Sequence, residues 1–277
     1  MKHTPLIIII IVVLLGVGAW YLFGSNSPEH GMPAPDGTSE LSGKNVELMY
    51  NADGLPISTR EDVEYYPGAK GYFVMPEVPG NYPGVVMIHE NRGLRPETKQ
   101  AAENLAREGY LVLAVDLLGG VAEDQEGARA LTANFSQETG TANMRAAAQY
   151  LRAQGASRLA SLGWCFGGRQ SVNLAISGEQ LDATVVYYGG GMATSTDALA
   201  SIKWPVLGVF GDQDRAIPVA MVEDFEASLN TLGVENEVYI YPGVGHAFAN
   251  PSGDNYAPAE TMDAWEKTLN FLARHLK

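Results

Sequence analysis

The feature that most restricts the fold is an alternation. Short, dense apolar runs recur along the chain, and stretches of helical periodicity separate them. "YPGVVMIHE" is apolar on every residue until its polar end, and the amphipathic "ETKQAAENLAREGY" follows it. "LVLAVD", "RLASLGWC", "DATVVYYGG", "PVLGVFGDQD" and "ENEVYIYPG" repeat the first pattern, with "VELMY" and "GAKGYFVMPE" as strands ahead of them. A strand that is apolar on both faces must be covered on both faces, which is the situation of a parallel sheet between two helical layers. The spacing predicts a helical region over about Ala122 to Gln154, another after the glycines at 167–168, "PVAMVEDFEASLNTLG" as a third, and a last helix from about Ala257 to Leu276. There is no internal repeat, so residues 44–277 read as one doubly wound α/β domain with helices on both faces of a mostly parallel sheet.

Ahead of that domain, Leu6 to Phe23 ("LIIIIIVVLLGVGAWYLF") carries no charge. As a helix it would be roughly 27 Å long at ~1.5 Å per residue, close to the thickness of a bilayer core. The run ends in Trp20, Tyr21, Leu22 and Phe23 rather than in a small-x-small cleavage signal. Residues 1–23 are therefore expected to be an uncleaved signal anchor, with a cleaved signal peptide as the competitor. Lys2 precedes the run, whereas 24–43 has no Lys or Arg and holds Glu29, Asp36 and Glu40, so the domain should face outward, on the periplasmic side in a bacterium. Residues 24–43, rich in Gly, Ser and Pro, read as a flexible tether. Net charge −14 argues against nucleic-acid binding, and a single cysteine excludes an internal disulfide. A monomer is expected.

In a sheet of this kind, ligands bind beyond the carboxyl ends of the strands. Four polar groups fall there: His89-Glu90-Asn91-Arg92, Cys165, Asp212 with Asp214, and His246. Gly163 to Gly167 reads G-W-C-F-G, the spacing of the G-x-S-x-G nucleophile elbow with cysteine for serine. The glycines allow a strand to turn directly into a helix, which lifts the central side chain out of the sheet. The following helix N-terminus favours a thiolate. A nucleophile of this type needs a base, and the expected chain order is nucleophile, acid, histidine. His3 and His30 lie before the domain, His275 lies in the terminal helix and His89 lies upstream. That leaves His246, in "YPGVGHAF". Asp212 and Asp214 both stand between Cys165 and His246 as candidate acids.

With "GWCFGG", "GDQDRAIP", "GVGHAF" and "MIHENRGL" in place, the chain resembles the dienelactone hydrolase family of α/β-hydrolases over about residues 45–276. The resemblance implies Asp214 rather than Asp212 as the acid, giving a triad of Cys165, Asp214 and His246. It implies that Glu90 holds the resting thiol and helps to deprotonate it. It also implies an oxyanion hole made by the backbone N–H groups of Phe166 and Asn91, a type of donor that contributes about 3 kcal/mol each. The dienelactone-cleaving members use two arginines to hold the substrate carboxylate. Here their approximate positions carry Gly120 and Asn250. Arg92, Arg129 and Arg215 are alternatives that could compensate, and Arg92 and Asn250 are the candidate substrate contacts.

The activity expected is hydrolysis of a small-molecule carboxylic ester or lactone through a thioester acyl-enzyme, without cofactor or metal. A broad carboxylesterase shares all these residues. A catalytically idle scaffold, a thiol redox role without a resolving cysteine, and metal binding without ligand spacing are the weaker alternatives.

Overall fold

The computed structural model describes residues 54–277, so the expected anchor, the tether and the strand "VELMY" lie outside the described residues. Among the described residues no helix is long and apolar enough to cross a membrane.

Eight strands form one sheet: β1 (Ile57–Tyr66), β2 (Ala69–Pro76), β3 (Gly84–Ile88), β4 (Leu111–Val115), β5 (Leu159–Trp164), β6 (Ala183–Tyr187), β7 (Val206–Gly211) and β8 (Asn236–Tyr241), in the order β1-β2-β4-β3-β5-β6-β7-β8. The pairs β1–β2 and β2–β4 are antiparallel and every later pair is parallel. Register brings the carboxyl ends level, with Ile88 opposite Val115 and Gly163, and Trp164 opposite Tyr187. The polar residues that follow β3, β5 and β6 therefore meet along one edge. The runs that read as apolar throughout are buried throughout: every residue of β3, β4 and β6 is in the core.

Helices α1 (Pro96–Arg107) and α7 (Pro258–Leu276) cover one face, and α3 (Gln137–Ala153) and α4 (Phe166–Ile176) cover the other. Side-chain alternation along β5 shows which is which. Ser161 Oγ meets Ser171 Oγ of α4 at 2.7 Å, whereas Trp164 packs on Tyr187, whose hydroxyl meets Thr268 Oγ1 of α7 at 2.6 Å. The order in which strands are added reverses at β3, which has β4 on one side and β5 on the other, and with right-handed crossovers this puts these helices on opposite sides.

The fold departs from the sequence expectation in two places. The stretch expected as one helical region over Ala122–Gln154 is two helices, α2 (Gln125–Ala133) and α3, because each has its own cap. Asp124 Oδ1 accepts from the Gly127 amide at 2.8 Å, and Ser136 Oγ accepts from that of Thr139 at 3.4 Å. Strand β1, "ISTREDVEYY", carries no apolar alternation. It is an edge strand, charged and irregular, with a register shift between Arg60 and Val63 around Asp62 at φ 53°. Charge and irregularity keep an open edge from pairing with other chains. Helices α5 (Thr196–Leu199) and α6 (Val219–Thr231) complete the order.

Candidate active site

Cys165 stands between the last residue of β5 and the first of α4, at φ 53° and ψ −112°. This left-handed backbone is disfavoured for a residue with a Cβ, and it persists because its neighbours leave no alternative. The Cys165 amide donates to the Tyr187 carbonyl at 3.0 Å, and its own carbonyl accepts from Arg169 at 3.1 Å. Two glycines make the approach possible. A Cβ on Gly163 would stand 2.2 Å from the Gly167 carbonyl oxygen, and one on Gly167 would stand 2.3 Å from that of Ile88. Strand, elbow and helix thus pass within backbone contact of each other, as a nucleophile elbow requires.

Asp214 follows β7 and is 5% exposed. Its Oδ1 accepts from the amides of Ala216 and Ile217 (2.9 and 3.1 Å), which leaves Oδ2 aimed at His246 Nδ1, 2.7 Å away. A carboxylate only accepts, so Nδ1 donates and Nε2 is left facing Cys165 Sγ at 3.0 Å. Asp212, the other candidate acid, is occupied in turn geometry, with Oδ1 accepting from the Gly243 amide at 2.7 Å. The imidazole is held by the backbone around it, since Asn255 donates to the His246 carbonyl at 2.9 Å and Ala247 sits at φ 59°. Burial works against charge on His246. The hydrogen bonds to Asp214 and Cys165 outweigh it, and the imidazolium is held up to about 10.

Glu90 lies deep in the shell after β3, with a remnant of exposure through the cleft. Its Oε2 accepts from Asn250 Nδ2 at 2.5 Å and its Oε1 from the Tyr188 hydroxyl at 3.3 Å. Burial raises the Glu90 carboxyl above its usual range, against the pull of Asn250, His246 and Tyr188. One expectation is revised by this arrangement: the thiol is hydrogen-bonded to His246 and not to Glu90. Asn250, expected at the substrate, lines the cleft beside Glu90, with its amide donating to Glu90 and its carbonyl oxygen accepting from the amide and hydroxyl of Ser252, both at 2.9 Å. Tyr188 was not marked by the sequence. It sits at φ 35°, fully buried, with its ring 5.4 Å from that of His246. Burial, with the Glu90 carboxylate beside it, keeps its phenol protonated well above the ordinary value. Three of the four non-glycine residues with positive φ among the described residues, Cys165, Tyr188 and Ala247, surround this site. That clustering is invisible in a sequence because "YYGG" and "GHAF" look like ordinary strand ends.

His89 is buried and plays another part. Its Nε2 accepts from the Leu117 amide at 3.1 Å while Nδ1 donates to the Glu90 carbonyl at 2.5 Å, and burial depresses its protonation. A neutral imidazole thus ties the loop after β3 to the loop after β4. Asn91 comes next on the first of these loops, and Phe166 is the first residue of α4, so both amides belong to the edge where Sγ emerges. Arg92 reaches the Glu123 carbonyl at 3.4 Å, and Arg129 and Arg215 are exposed.

The chain has relatives. A family model described as the dienelactone hydrolase family matches residues 69–276. A protein of Saccharolobus solfataricus that bears the provisional name carboxymethylenebutenolidase is 27% identical over 268 residues, 82% of this chain and 98% of its own. A protein of Escherichia coli K12 with the same provisional name is 27% identical over 212 residues, 71% of this chain and 78% of its own. The crystal structure of a provisionally named dienelactone hydrolase from Klebsiella pneumoniae matches with a TM-score of 0.73 at 26% identity, covering 79% of this chain and 99% of that one. A dienelactone hydrolase-like promiscuous phosphotriesterase, P91, from metagenomic libraries shares the fold, with a TM-score of 0.71 at 24% identity over 81% of this chain and all of that one. From β2 to the end of α7, the match and the eight-stranded α/β-hydrolase architecture agree, and the chain belongs to the dienelactone hydrolase family, hydrolases that act on ester bonds.

Proposed function

We propose that the protein hydrolyses a small-molecule ester or lactone with Cys165 as nucleophile, His246 as its acid and base, and Asp214 as the group that orients His246. The observation that carries this reading is the unbroken line from Asp214 through His246 to Sγ, at 2.7 and 3.0 Å, ending on an elbow residue. The Cys165 thiolate adds to the carbonyl carbon, and the oxyanion forms against the Phe166 and Asn91 amides. The intermediate collapses to a thioester as the C–O bond breaks, and the leaving alkoxide takes the proton from the imidazolium. Water then gives a proton to the neutral His246 and adds to the thioester. The second collapse releases the acid and returns the imidazolium–thiolate pair. In a lactone the alkoxide stays tethered to the acyl group, so ring opening yields one product. Asp214 stabilises each imidazolium along this path.

The test is turnover of activated esters and lactones by the protein and its Cys165→Ala variant, with intact mass measured under substrate. Acylation and turnover in the wild type that vanish in Cys165→Ala are expected. Turnover that survives in Cys165→Ala would overturn the reading. From the sequence alone we further infer that residues 1–23 anchor the domain on the outer side of a membrane. A C-terminal reporter active only outside the cytoplasm tests this, and activity of a cytoplasm-only reporter would refute it.

A further inference from the structure

Beside Glu90 the sheet edge opens into a cavity of about 50 Å³ between the first turns of α1 and of α7. Trp164 and Trp265 supply aromatic wall, and Ala101, Ala249 and Pro251 supply aliphatic wall. The cavity adjoins the residues that pack against the triad. Tyr188, on its wall, has its ring 5.4 Å from that of His246 and its hydroxyl on Glu90, and Trp164 on the same wall is the residue before Cys165, so the cavity lies beside the triad. By volume it holds roughly three to five waters, or a chain of about four heavy atoms.

Its charges are matched. Arg95 Nε and Glu97 Oε2 form an ion pair at 3.5 Å, and both atoms are sealed from solvent without a hydrogen-bond partner. Arg95 Nη1 donates to the Ala122 carbonyl at 3.0 Å and stands 3.8 Å from Glu123 Oε2. Arg92, the second guanidinium on the wall, leans on the Glu123 carbonyl, and Glu90 and Glu97 are the two carboxylates there. A substrate carboxylate entering this space would lose its water, meet a guanidinium already paired, and lie beside two carboxylates, an arrangement that rejects anions. An uncharged group only loses water from apolar surface.

Resting on the ester-hydrolase reading above, we propose that this cavity is the acyl subsite, that it takes short uncharged acyl groups, and that Glu97 excludes carboxylate-bearing ones by neutralising Arg95. Glu97 also lies in the first turn of α1, where a carboxylate favours the helix in any case. A purely structural role would make its replacement lower activity on all substrates alike. A specificity role changes a ratio.

The experiment measures kcat/KM of the full-length protein for 4-nitrophenyl acetate, butyrate and octanoate and for the 4-nitrophenyl monoester of succinate, which matches butyrate in length and adds a carboxylate. The wild type should favour butyrate over the succinate monoester by about tenfold or more. Glu97→Gln, which keeps the shape and frees Arg95, should raise kcat/KM for the succinate monoester severalfold, an effect that added salt weakens. Ala101→Leu, filling the cavity from α1, should move the preferred chain from butyrate to acetate. Equal or better use of the succinate monoester by the wild type overturns the proposal. So does a butyrate-to-succinate ratio that Glu97→Gln leaves unchanged. Failure of every ester to turn over or to acylate Cys165 refutes the hydrolase reading itself, and this subsite with it.

Discussion

Asn250 Nδ2 donates to Glu90 Oε2 at 2.5 Å, across 160 residues of chain. The amide stabilises the charged form of Glu90 against the burial that raises its pKa. Replacing Asn250 by Leu removes that support, so the carboxyl pKa rises further. The acid limb of the kcat/KM–pH profile is expected to move upward in Asn250→Leu, with a fall of about tenfold in kcat/KM at neutral pH. An unshifted acid limb would separate Glu90 from the reaction.

Removing the nucleophile and relieving its backbone are different changes at one position. Cys165→Ala and Cys165→Gly should both lose at least about a thousandfold in kcat, as expected when a covalent step is deleted. Glycine accepts φ 53° without a Cβ penalty, so Cys165→Gly should be more stable than Cys165→Ala by about 1 kcal/mol in denaturant unfolding. Equal stabilities would mean that the elbow is not strained.

Asp214→Asn keeps the shape of the acid and removes its charge. A loss of about 10³–10⁴ in kcat is expected, as for other orienting carboxylates. Its effect on stability depends on pH in a definite direction. The His246 pKa is raised from 6.5 in the unfolded chain to about 10 in the fold. The stability it contributes is therefore complete below about pH 6.5 and is lost as pH rises through about 10. The wild type should exceed Asp214→Asn in stability most at pH 6 and least at pH 10, as urea unfolding at three pH values would show.

Gly167→Ala tests the packing under the site. Its Cβ would lie 2.3 Å from the Ile88 carbonyl and 2.5 Å from that of His89, both backbone atoms unable to swing aside. Destabilisation of at least about 2 kcal/mol is expected, with loss of activity as α4 moves off β3. A Tm within a degree of the wild type would contradict the close approach.

Much of this molecule was legible in its residues, for physical reasons that differ from element to element. The buried strands β3 to β7 announce themselves because a parallel sheet covered on both faces admits only apolar side chains. The elbow is legible because only glycines allow β5, β3 and α4 to come within backbone contact. Chain order selects His246 over His89. Strand β1 escaped because an edge strand is stabilised by one neighbour and protected by charge, so it has no apolar signature. The division between α2 and α3 escaped because two short-range caps, at Asp124 and Ser136, override a continuous periodicity.

What the sequence determined by itself is the list of reactive groups and the layered sheet that carries them, since burial of apolar runs and backbone sterics at glycine act locally. What only the tertiary structure decided is which group meets which. The thiol pairs with His246 rather than with Glu90, Asn250 serves Glu90, and Arg95 is neutralised by Glu97. Except for the last, these pairings join residues 81 to 160 positions apart. Their partners are set by strand order, register and loop backbone to within a few tenths of an ångström, and no local propensity encodes such distances.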